Sequence, residues 1–311
     1  IVPPGPGAFC AFGMLMADVR HDYARTLIGP LDGLDGAEAR LGHRERHLFE
    51  EQPLGRLAVG IQPLHLAVGP VRAACRQAGV SSLVVTSSPS VVFHPGGHEG
   101  ADESEPYPDR HGSLYSRTKA IAEREALEAN GNDLAVTALR PHLVWGPGDP
   151  HLLPRLYSRA RAGRLVRLGS GGLVDTTCVA NAAHAHVLAL DALAPGAPCA
   201  GKAYFIANGE PLPLWDLIDR LLAAEGLPPV RRTAPVAVAK AIATMAECVW
   251  GCFSLPGEPP ITRFVVDELS SPHWYSLEAA RRDLGYQPVV TLEQGLAELA
   301  RTQVGIAPVA R

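Results

Sequence analysis

The chain has 311 residues, a formal net charge of −4 and a sequence pI of about 6.3. Hydrophobic residues make up 47% and charged residues 19%, which is typical of a packed globular protein. No basic excess is present to neutralise phosphates, so we expect no nucleic-acid binding. The six cysteines form no C-x-x-C pair and no Cys/His cluster has zinc spacing, which predicts buried, reduced thiols and no metal site. No charged segment followed by an apolar one opens the sequence, and a cytoplasmic location is therefore expected.

The first 60 residues are hard to interpret and contain no clean strand pattern. The first clear secondary-structure pattern begins near residue 66. "HLAVGPVRAACRQAG" has apolar residues at helical spacing and ends at Gly79, a natural helix stop. The apolar run "SSLVVTSS" is typical of a strand buried on both faces of a parallel sheet. Residues 114–130 have a helical pattern, and "LAVTALRPHLVWGPGD" predicts the next strand, ending at Pro141. This alternation predicts an α/β fold with a doubly wound, Rossmann-like parallel sheet.

Beyond Gly148 the pattern is less regular, which places a soft domain boundary there. The sequence predicts a dinucleotide-binding domain over residues 1–148. Residues 149–311 are expected to form mainly a smaller substrate-binding region, with a segment of about 172–195 rejoining the first domain.

Residues 236–255 are nearly all apolar, but Lys240 and Glu247 interrupt the run. These charges favour a helix that covers an apolar substrate pocket, with Trp250, Phe253 and Trp274 as candidate walls. Peripheral contact with a membrane surface is the weaker alternative, and a membrane span is weaker still.

Tyr115 and Lys119 are the strongest candidates for chemistry. They lie four residues apart in "YSRTK" and so share one helix face about one turn apart. An ammonium beside a phenol stabilises the phenolate, which suits the tyrosine to acid–base catalysis. Ser88 ends the preceding buried strand, and sites in open α/β folds assemble at the C-terminal ends of parallel strands. A hydroxyl there can hold a substrate carbonyl while the tyrosine transfers a proton.

Five segments together carry a family resemblance: "TSSPSVVF", "YSRTKAIAE", "LRPHLVWGPGD", "DTTCVANAAHAHVLAL" and "GKAYFIANGEP". They resemble the 3β-hydroxysteroid dehydrogenase branch of the extended short-chain dehydrogenases over about residues 66–300. Within it the chain looks most similar to bacterial 2-alkyl-3-oxoalkanoate reductases, with sterol-carboxylate dehydrogenases as near relatives. The resemblance implies an NAD- or NADP-dependent oxidoreductase. Such an enzyme would interconvert a 3-oxo and a 3-hydroxy group on a hydrophobic substrate, a long-chain 2-alkyl-3-oxoalkanoate or a sterol-like molecule.

The same resemblance implies roles for individual residues. Ser88, Tyr115 and Lys119 would form the catalytic triad, with Ser87 and Ser90 as alternatives to Ser88. Tyr115 and Lys119 would also bind the cofactor. Four further residues would line the nicotinamide, partly through backbone groups: Pro141, His142, Leu143 and Val144. For His142, a purely structural role is the alternative. The resemblance also implies a homodimer formed through helices, which is common in the family.

The resemblance fails at the start of the chain. The family opens with a strand and a G-x-x-G-x-x-G turn whose backbone approaches the pyrophosphate. In "GPGAFCA", Gly5 takes the first glycine position, with Gly7 close by, but Ala8 and Ala11 occupy the next two. We therefore expect part of the first domain to be missing or replaced and cofactor affinity to be weak. A degenerate but working turn is the alternative.

Two other functions fit the sequence less well. A sugar-nucleotide epimerase or dehydratase would need polar and basic groups for a diphosphate, and the apolar stretch 236–255 disfavours it. A catalytically decayed NAD(P)-sensing or scaffold protein would agree with the weak glycine turn. His184 and His186 lie two apart and point to different helix faces, which favours packing over a metal pair.

Overall fold

The computed structural model describes residues 56–59, 68–150, 152–253, 259 and 261–304. Within them the strands are β1 (Arg56–Val59), β2 (Ser82–Thr86), β3 (His98–Ala101), β4 (Ala135–Pro141), β5 (Val144–Trp145), β6 (Arg167–Leu168), β7 (Leu173–Val174), β8 (Thr177–Cys178), β9 (Ala203–Ile206), β10 (Leu212–Pro213), β11 (Thr233–Ala234) and β12 (His273–Tyr275). The α-helices are α1 (Val68–Gln77), α2 (Leu114–Glu128), α3 (Leu152–Arg161), α4 (Val179–Ala192), α5 (Leu214–Ala224), α6 (Val236–Phe253), α7 (Arg263–Ser270), α8 (Glu278–Leu284) and α9 (Leu292–Val304). A 3-10 helix spans Pro89–Val91.

The central sheet has four parallel strands in the order β1, β2, β4, β9. Because side chains alternate along a strand, Leu83 points to one face, where it packs with Cys75 of α1 and Ala122 of α2. Val84 points to the other face and belongs to the cluster that contains Ala185 of α4. Helices therefore cover both faces of the parallel sheet, and the predicted doubly wound α/β fold is confirmed.

The predicted elements around the sheet are present at their expected places. The helix expected before Gly79 is α1, the helix expected over residues 114–130 is α2, and β4 ends at Pro141. The first 60 residues were hard to interpret from the sequence, and β1, which pairs in parallel with β2, lies at their end. Four residues are too few to produce a periodic pattern in the sequence.

Segments from the second half of the chain also contact this sheet. Helix α4 packs against β2 and β4, and β9 pairs with β4 from Ala138↔Ala203 to Pro141↔Ile206. Strand β9 follows the segment 172–195 that was expected to rejoin the first domain. The proposed boundary near residue 148 stays a prediction.

A second, mixed sheet has the order β10, β7, β12, β3 and lies beside the first. Tyr275 of β12 stacks on Phe205 of β9, with ring centroids 4.2 Å apart and an interplanar angle of 16°. Both rings belong to the cluster that packs on the central sheet. This stack joins the two sheets close to the C-terminal end of β4.

Helix α6 contributes little to the core. Its buried residues are Ala239 and Ala243. Two ion pairs hold it to α7: Lys240–Asp267 at 2.7 Å, and Glu247–Arg263 at 2.6 Å, where Arg263 is the first residue of α7. The large apolar side chains that are exposed on α6 form one stripe at three- and four-residue spacing: Val238, Ile242, Met245, Val249 and Phe253.

By length and composition α6 is apolar enough to cross a membrane, and 11% of it is buried. Phe253 is 73% exposed, so its predicted place in a pocket wall is not observed. The prediction of buried thiols is confirmed for Cys75, Cys178 and Cys199 but is wrong for Cys248 and Cys252, which lie exposed on α6. Cys10 lies outside the described residues. The role of α6 as a pocket cover stays a prediction.

Candidate active site

Ser88 lies just beyond the end of β2 and caps the 3-10 helix. Its Oγ accepts hydrogen bonds from the Ser90 backbone N–H at 3.3 Å and from the Ser90 hydroxyl at 3.0 Å. A serine that accepts from its neighbour can still donate its own proton, for example to a carbonyl oxygen. The hydroxyl of Ser87 is buried without a partner among the described residues. These contacts favour Ser88 as the hydroxyl that holds a substrate, with Ser90 orienting it.

Lys119 is buried, with 3% of its surface exposed, and is fixed to the end of β2. Its Nζ donates to the carbonyl oxygen of Thr86 at 3.0 Å. The Thr86 hydroxyl lies 2.8 Å from Nε2 of His186, whose Nδ1 lies 2.7 Å from the carbonyl oxygen of Ala182. Because a carbonyl only accepts, Nδ1 carries the proton and Nε2 accepts from Thr86. Burial lowers the pKa of His186, which agrees with a neutral ring. Helix α4 thus supports the strand end that holds the ammonium.

Tyr115 is placed by a cap at the first turn of α2. The Ser113 side chain accepts from the Ser116 backbone N–H at 3.1 Å, and the Ser113 backbone N–H donates to the Ser116 side chain at 3.3 Å. This reciprocal pair fixes the direction in which the helix starts. The half-buried Tyr115 ring packs on Val144 and Ala182. The structure therefore brings Tyr115 against Val144, one of the residues expected to line the nicotinamide.

A buried ion pair sets the position of α2 relative to β4. The Arg140 guanidinium donates three hydrogen bonds of 2.6 to 3.2 Å to the Glu123 carboxylate, and the two side chains are 3% and 0% exposed. The Tyr107 hydroxyl also donates to Glu123 at 2.5 Å. Burial and the Glu123 charge raise the pKa of Tyr107 to about 12, so it remains a donor. Glu123 lies one turn after Lys119, and Arg140 directly precedes Pro141. The pair therefore fixes α2 against the segment that was predicted to line the nicotinamide.

Residues 141–144, the predicted nicotinamide-lining segment, are buried and held by threonines. Leu143 has φ 44°, a left-handed backbone that leucine rarely adopts. Thr176 donates from Oγ1 to the Leu143 carbonyl at 3.0 Å, and Thr177 donates to the His142 carbonyl at 2.6 Å. Backbone strain of this kind persists where the surroundings fix it and is frequent at ligand sites.

His142 lies in a buried cluster between β4 and β12. Its Nε2 is 3.1 Å from Nδ1 of His273, whose Nε2 is 2.8 Å from the carbonyl oxygen of Glu268. The carbonyl requires a proton on Nε2 of His273, so Nδ1 of His273 accepts and His142 donates. Burial lowers the pKa of His142 well below its usual range and that of His273 to about 4. The observed contacts link two strands, and the expected contact of His142 with the cofactor stays a prediction.

Gly5 and Gly7, the residues assigned to the phosphate-binding turn, lie outside the described residues. In the described part, α2, which carries Tyr115 and Lys119, packs against both β4 and the 3-10 helix capped by Ser88. Sequence reasoning missed Thr86 and the support that His186 gives it. The signal available was weak, because the hydroxyl of "VVTSS" and the histidine are separated by 100 positions.

Comparison with known proteins identifies the family. The model of the 3-beta hydroxysteroid dehydrogenase/isomerase family matches residues 69–236, just over half of the chain. A 2-alkyl-3-oxoalkanoate reductase of Stenotrophomonas maltophilia is 54% identical over 233 residues, which are 74% of this chain and 70% of that protein. A protein of the same name from Shewanella oneidensis is 42% identical, over 74% of this chain and 62% of its own length. A decarboxylating sterol-4-alpha-carboxylate 3-dehydrogenase of Schizosaccharomyces pombe is 38% identical, over 72% and 66%. The chain spans about two thirds of the length of these relatives.

Solved structures share the fold. The crystal structure of gox2253 superposes with a TM-score of 0.61 at 21% identity, over 78% of this chain and 72% of that one. MoeE5 in complex with UDP-glucuronic acid and NAD gives a TM-score of 0.54 at 26% identity, over 78% and 71%. With the family model and the relatives taken together, the chain belongs to the 3-beta hydroxysteroid dehydrogenase/isomerase family.

Proposed function

We propose that the chain is an NAD(P)-dependent oxidoreductase that interconverts the 3-oxo and 3-hydroxy groups of long-chain 2-alkyl-3-oxoalkanoates. The observation that carries the proposal is the buried Lys119, which is fixed to the end of β2. It lies on the same helix as Tyr115, and that helix packs against the 3-10 helix capped by Ser88. The 54% identity to a reductase of that name supports the substrate class.

The proton chemistry follows from three side chains of this chain. In the reducing direction, Ser88 donates to the substrate carbonyl oxygen, and the Tyr115 hydroxyl gives its proton to the oxygen as negative charge develops there. The Lys119 ammonium, one turn away, stabilises the phenolate that remains. In the oxidising direction the phenolate takes the proton back.

The described residues fit the nicotinamide end of the cofactor. Tyr115, Val144 and Ala182 form a small apolar surface beside the buried cation of Lys119. Residues 141–144 are buried, accept hydrogen bonds from threonines and carry a strained backbone at Leu143, as expected of a ligand-lining segment. NAD(P)H supplies the hydride when it is bound. The pyrophosphate end of the cofactor was assigned to Gly5 and Gly7, which lie outside the described residues. Binding of the whole cofactor is therefore part of the proposal.

A sterol-like substrate is the second candidate, because the chain is also 38% identical to a sterol-4-alpha-carboxylate 3-dehydrogenase. Both candidates are apolar molecules with a carboxylate near the reacting carbon. An epimerase activity has weaker support, because the UDP-glucuronic acid 4-epimerase of Bacillus cereus is 20% identical to this chain and the likeness shows only a shared fold.

Steady-state assays with a substrate panel test the proposal. NADH or NADPH oxidation should occur with 2-alkyl-3-oxoalkanoates, and kcat/KM should rise with chain length, since each buried CH₂ contributes about 0.8 kcal/mol. Conversion of UDP-glucuronic acid with no turnover of any lipid would instead establish the epimerase reading. If no substrate turns over but nicotinamide fluorescence changes on titration, the chain is a catalytically decayed NAD(P)-sensing protein. If the fluorescence does not change either, it is a scaffold protein with a decayed cofactor site.

The cellular setting belongs to the same proposal. We propose a cytoplasmic location with α6 in contact with a membrane surface. The exposed apolar stripe from Val238 to Phe253 supports this contact. Co-sedimentation with phospholipid vesicles would test the contact, and loss of binding in a Met245→Glu variant would locate it on α6. Light scattering would test the homodimer that the family resemblance implies.

A further inference from the structure

Outside the proposed catalytic groups, His94, His98 and Glu105 bring their ligand atoms within 4.8 Å of one another. Nε2 of His94 is 3.4 Å from one Glu105 oxygen, and Nδ1 of His98 is 4.0 Å from the other. The two imidazole centroids are 4.3 Å apart. Two imidazoles and one carboxylate are a donor set that suits Zn²⁺ and related divalent ions.

The backbone is built to bring these histidines together. The segment "HPGG" is a turn in which the Gly97 N–H donates to the His94 carbonyl at 2.9 Å. Gly97 has φ 74°, and a Cβ there would lie 2.3 Å from the carbonyl oxygen of Pro272, so only glycine fits. The turn leads directly into β3, where His98 pairs with His273 of β12. His98 is therefore fixed in the second sheet, with His94 folded back over it.

The buried member of the group presents a bare nitrogen to the other two. His98 is 4% exposed, and its Nε2 lies 3.2 Å from the carbonyl oxygen of Val92. The carbonyl requires a proton on Nε2, which leaves the lone pair on Nδ1, the atom that faces Glu105. A backbone carbonyl that fixes the tautomer of a histidine is the usual outer-shell partner of a metal ligand.

We propose that His94, His98 and Glu105 form a binding site for a divalent transition-metal ion, with Zn²⁺ as the best match. In a tetrahedral zinc site the ligand atoms lie about 3.3 Å apart, given Zn–N bonds near 2.0 Å. The ligand atoms of His94, His98 and Glu105 lie within 4.8 Å of one another, which exceeds the zinc-site spacing by at most about 1.5 Å. His94 and Glu105 side chains are 43% and 27% exposed, so they can rotate to close the site around the fixed His98. Solvent would supply the fourth ligand. The bound ion would tie the segment that follows Ser88 to strand β3.

Metal titration of the full chain, stripped with a chelator, tests the site. Titration with Zn²⁺ alone should give tight binding in the wild type. His98→Gln and Glu105→Gln should each weaken the site at least tenfold, because each removes one of three protein ligands. His184→Gln removes a half-buried histidine of α4 and should bind Zn²⁺ like the wild type. Because the chain has 12 histidines, the difference between these variants is the readout.

Two further measurements keep the test independent of folding defects and of catalysis. Co²⁺ should give the visible absorption of a four-coordinate site in the wild type, and Glu105→Gln, at a half-exposed position, should lose it while its circular dichroism is unchanged. Zn²⁺ should also slow hydrogen exchange over residues 94–105 in the wild type and in His184→Gln, but not in Glu105→Gln. Equal Zn²⁺ affinity and equal Co²⁺ spectra in Glu105→Gln and His184→Gln would overturn the proposal, and the cluster would then be an ordinary ion pair.

Discussion

Lys119 donates a hydrogen bond to the backbone carbonyl of Thr86 at 3.0 Å, although 33 positions separate the two residues. The buried ammonium is therefore fixed at the end of β2 before any substrate binds. A charge held in place in advance needs no reorganisation during the reaction, which is the main advantage of preorganised electrostatics. Thr86 is in turn fixed through its side chain by His186. The network links three segments, β2, α2 and α4, at one position.

This network predicts the effect of Thr86→Val. The variant keeps the carbonyl that accepts from Lys119 but leaves Nε2 of the buried His186 without its donor. We expect the free energy of unfolding to fall by about 1–3 kcal/mol, the cost of a buried polar group left unpaired. Urea unfolding would measure it. In a double-mutant cycle with His186→Leu the two effects should couple by at least about 0.5 kcal/mol, and strict additivity would show that the hydrogen bond contributes nothing.

Tyr115→Phe should nearly abolish turnover without unfolding the chain. The variant keeps the ring that packs on Val144 and Ala182 and removes only the proton donor. A fall in kcat of about 10²–10⁴-fold is expected, the usual contribution of general acid–base catalysis. Tyr157→Phe is the matched control. It removes a buried hydroxyl that has no partner among the described residues. Its ring belongs to a different hydrophobic cluster from that of Tyr115, so kcat should be unchanged. A Tyr115→Phe enzyme retaining more than about a tenth of the rate would remove this tyrosine from the acid–base role.

The sequence predicted those parts of the fold whose signal is local. Strand β2 is a short apolar run, and Tyr115 and Lys119 share a face simply because they are four residues apart in a helix. Strands β7, β10 and β12, by contrast, are two or three residues long, too short to show a period, so the second sheet was not predicted.

Long-range polar contacts were also beyond sequence reasoning. The Thr86–His186 hydrogen bond and the meeting of His98 with Glu105 depend on how distant or turning segments pack. No spacing rule anticipates them, and "HPGGH" lacks the cysteines that make most zinc motifs recognisable. The left-handed backbone of Leu143 had no sequence signal either, because glycine is the residue expected at such a position.

Glu123→Gln should be strongly destabilising. Arg140 would keep its buried charge but lose the carboxylate that neutralises it, and removing one partner of a buried pair costs about 3–5 kcal/mol. Asp133→Asn is a control of the same chemistry at the surface. Its pair with Arg76 has side chains that are 59% and 43% exposed, so a loss of at most about 1 kcal/mol is expected. Chemical unfolding of both variants would give the comparison, and equal losses would show that the buried pair does not fix α2 against β4.

The last prediction concerns Glu268, whose side-chain oxygen Oε2 is buried without a partner among the described residues. Burial raises the pKa of this carboxyl from 4.5 to about 8. Between these values the folded chain keeps a proton that the unfolded chain has lost, so unfolding releases it. Stability contributed by this group is therefore fully present below about pH 4.5 and falls as pH rises towards 8, by roughly 1.4 kcal/mol per pH unit.

Glu268→Gln should remove this dependence, because glutamine is neutral at every pH. The buried His273 titrates in the opposite sense, since its pKa is lowered to about 4 and its contribution to stability grows between about pH 4 and 6.5. The clearest window is therefore pH 6.5–8, where the wild type should lose stability relative to Glu268→Gln. Urea unfolding at pH 6.5, 7.25 and 8 would measure the difference, with Glu278→Gln at an exposed position of α8 as the control. Parallel pH profiles for the wild type and Glu268→Gln would mean that the carboxyl is solvated in the folded chain and does not hold its proton.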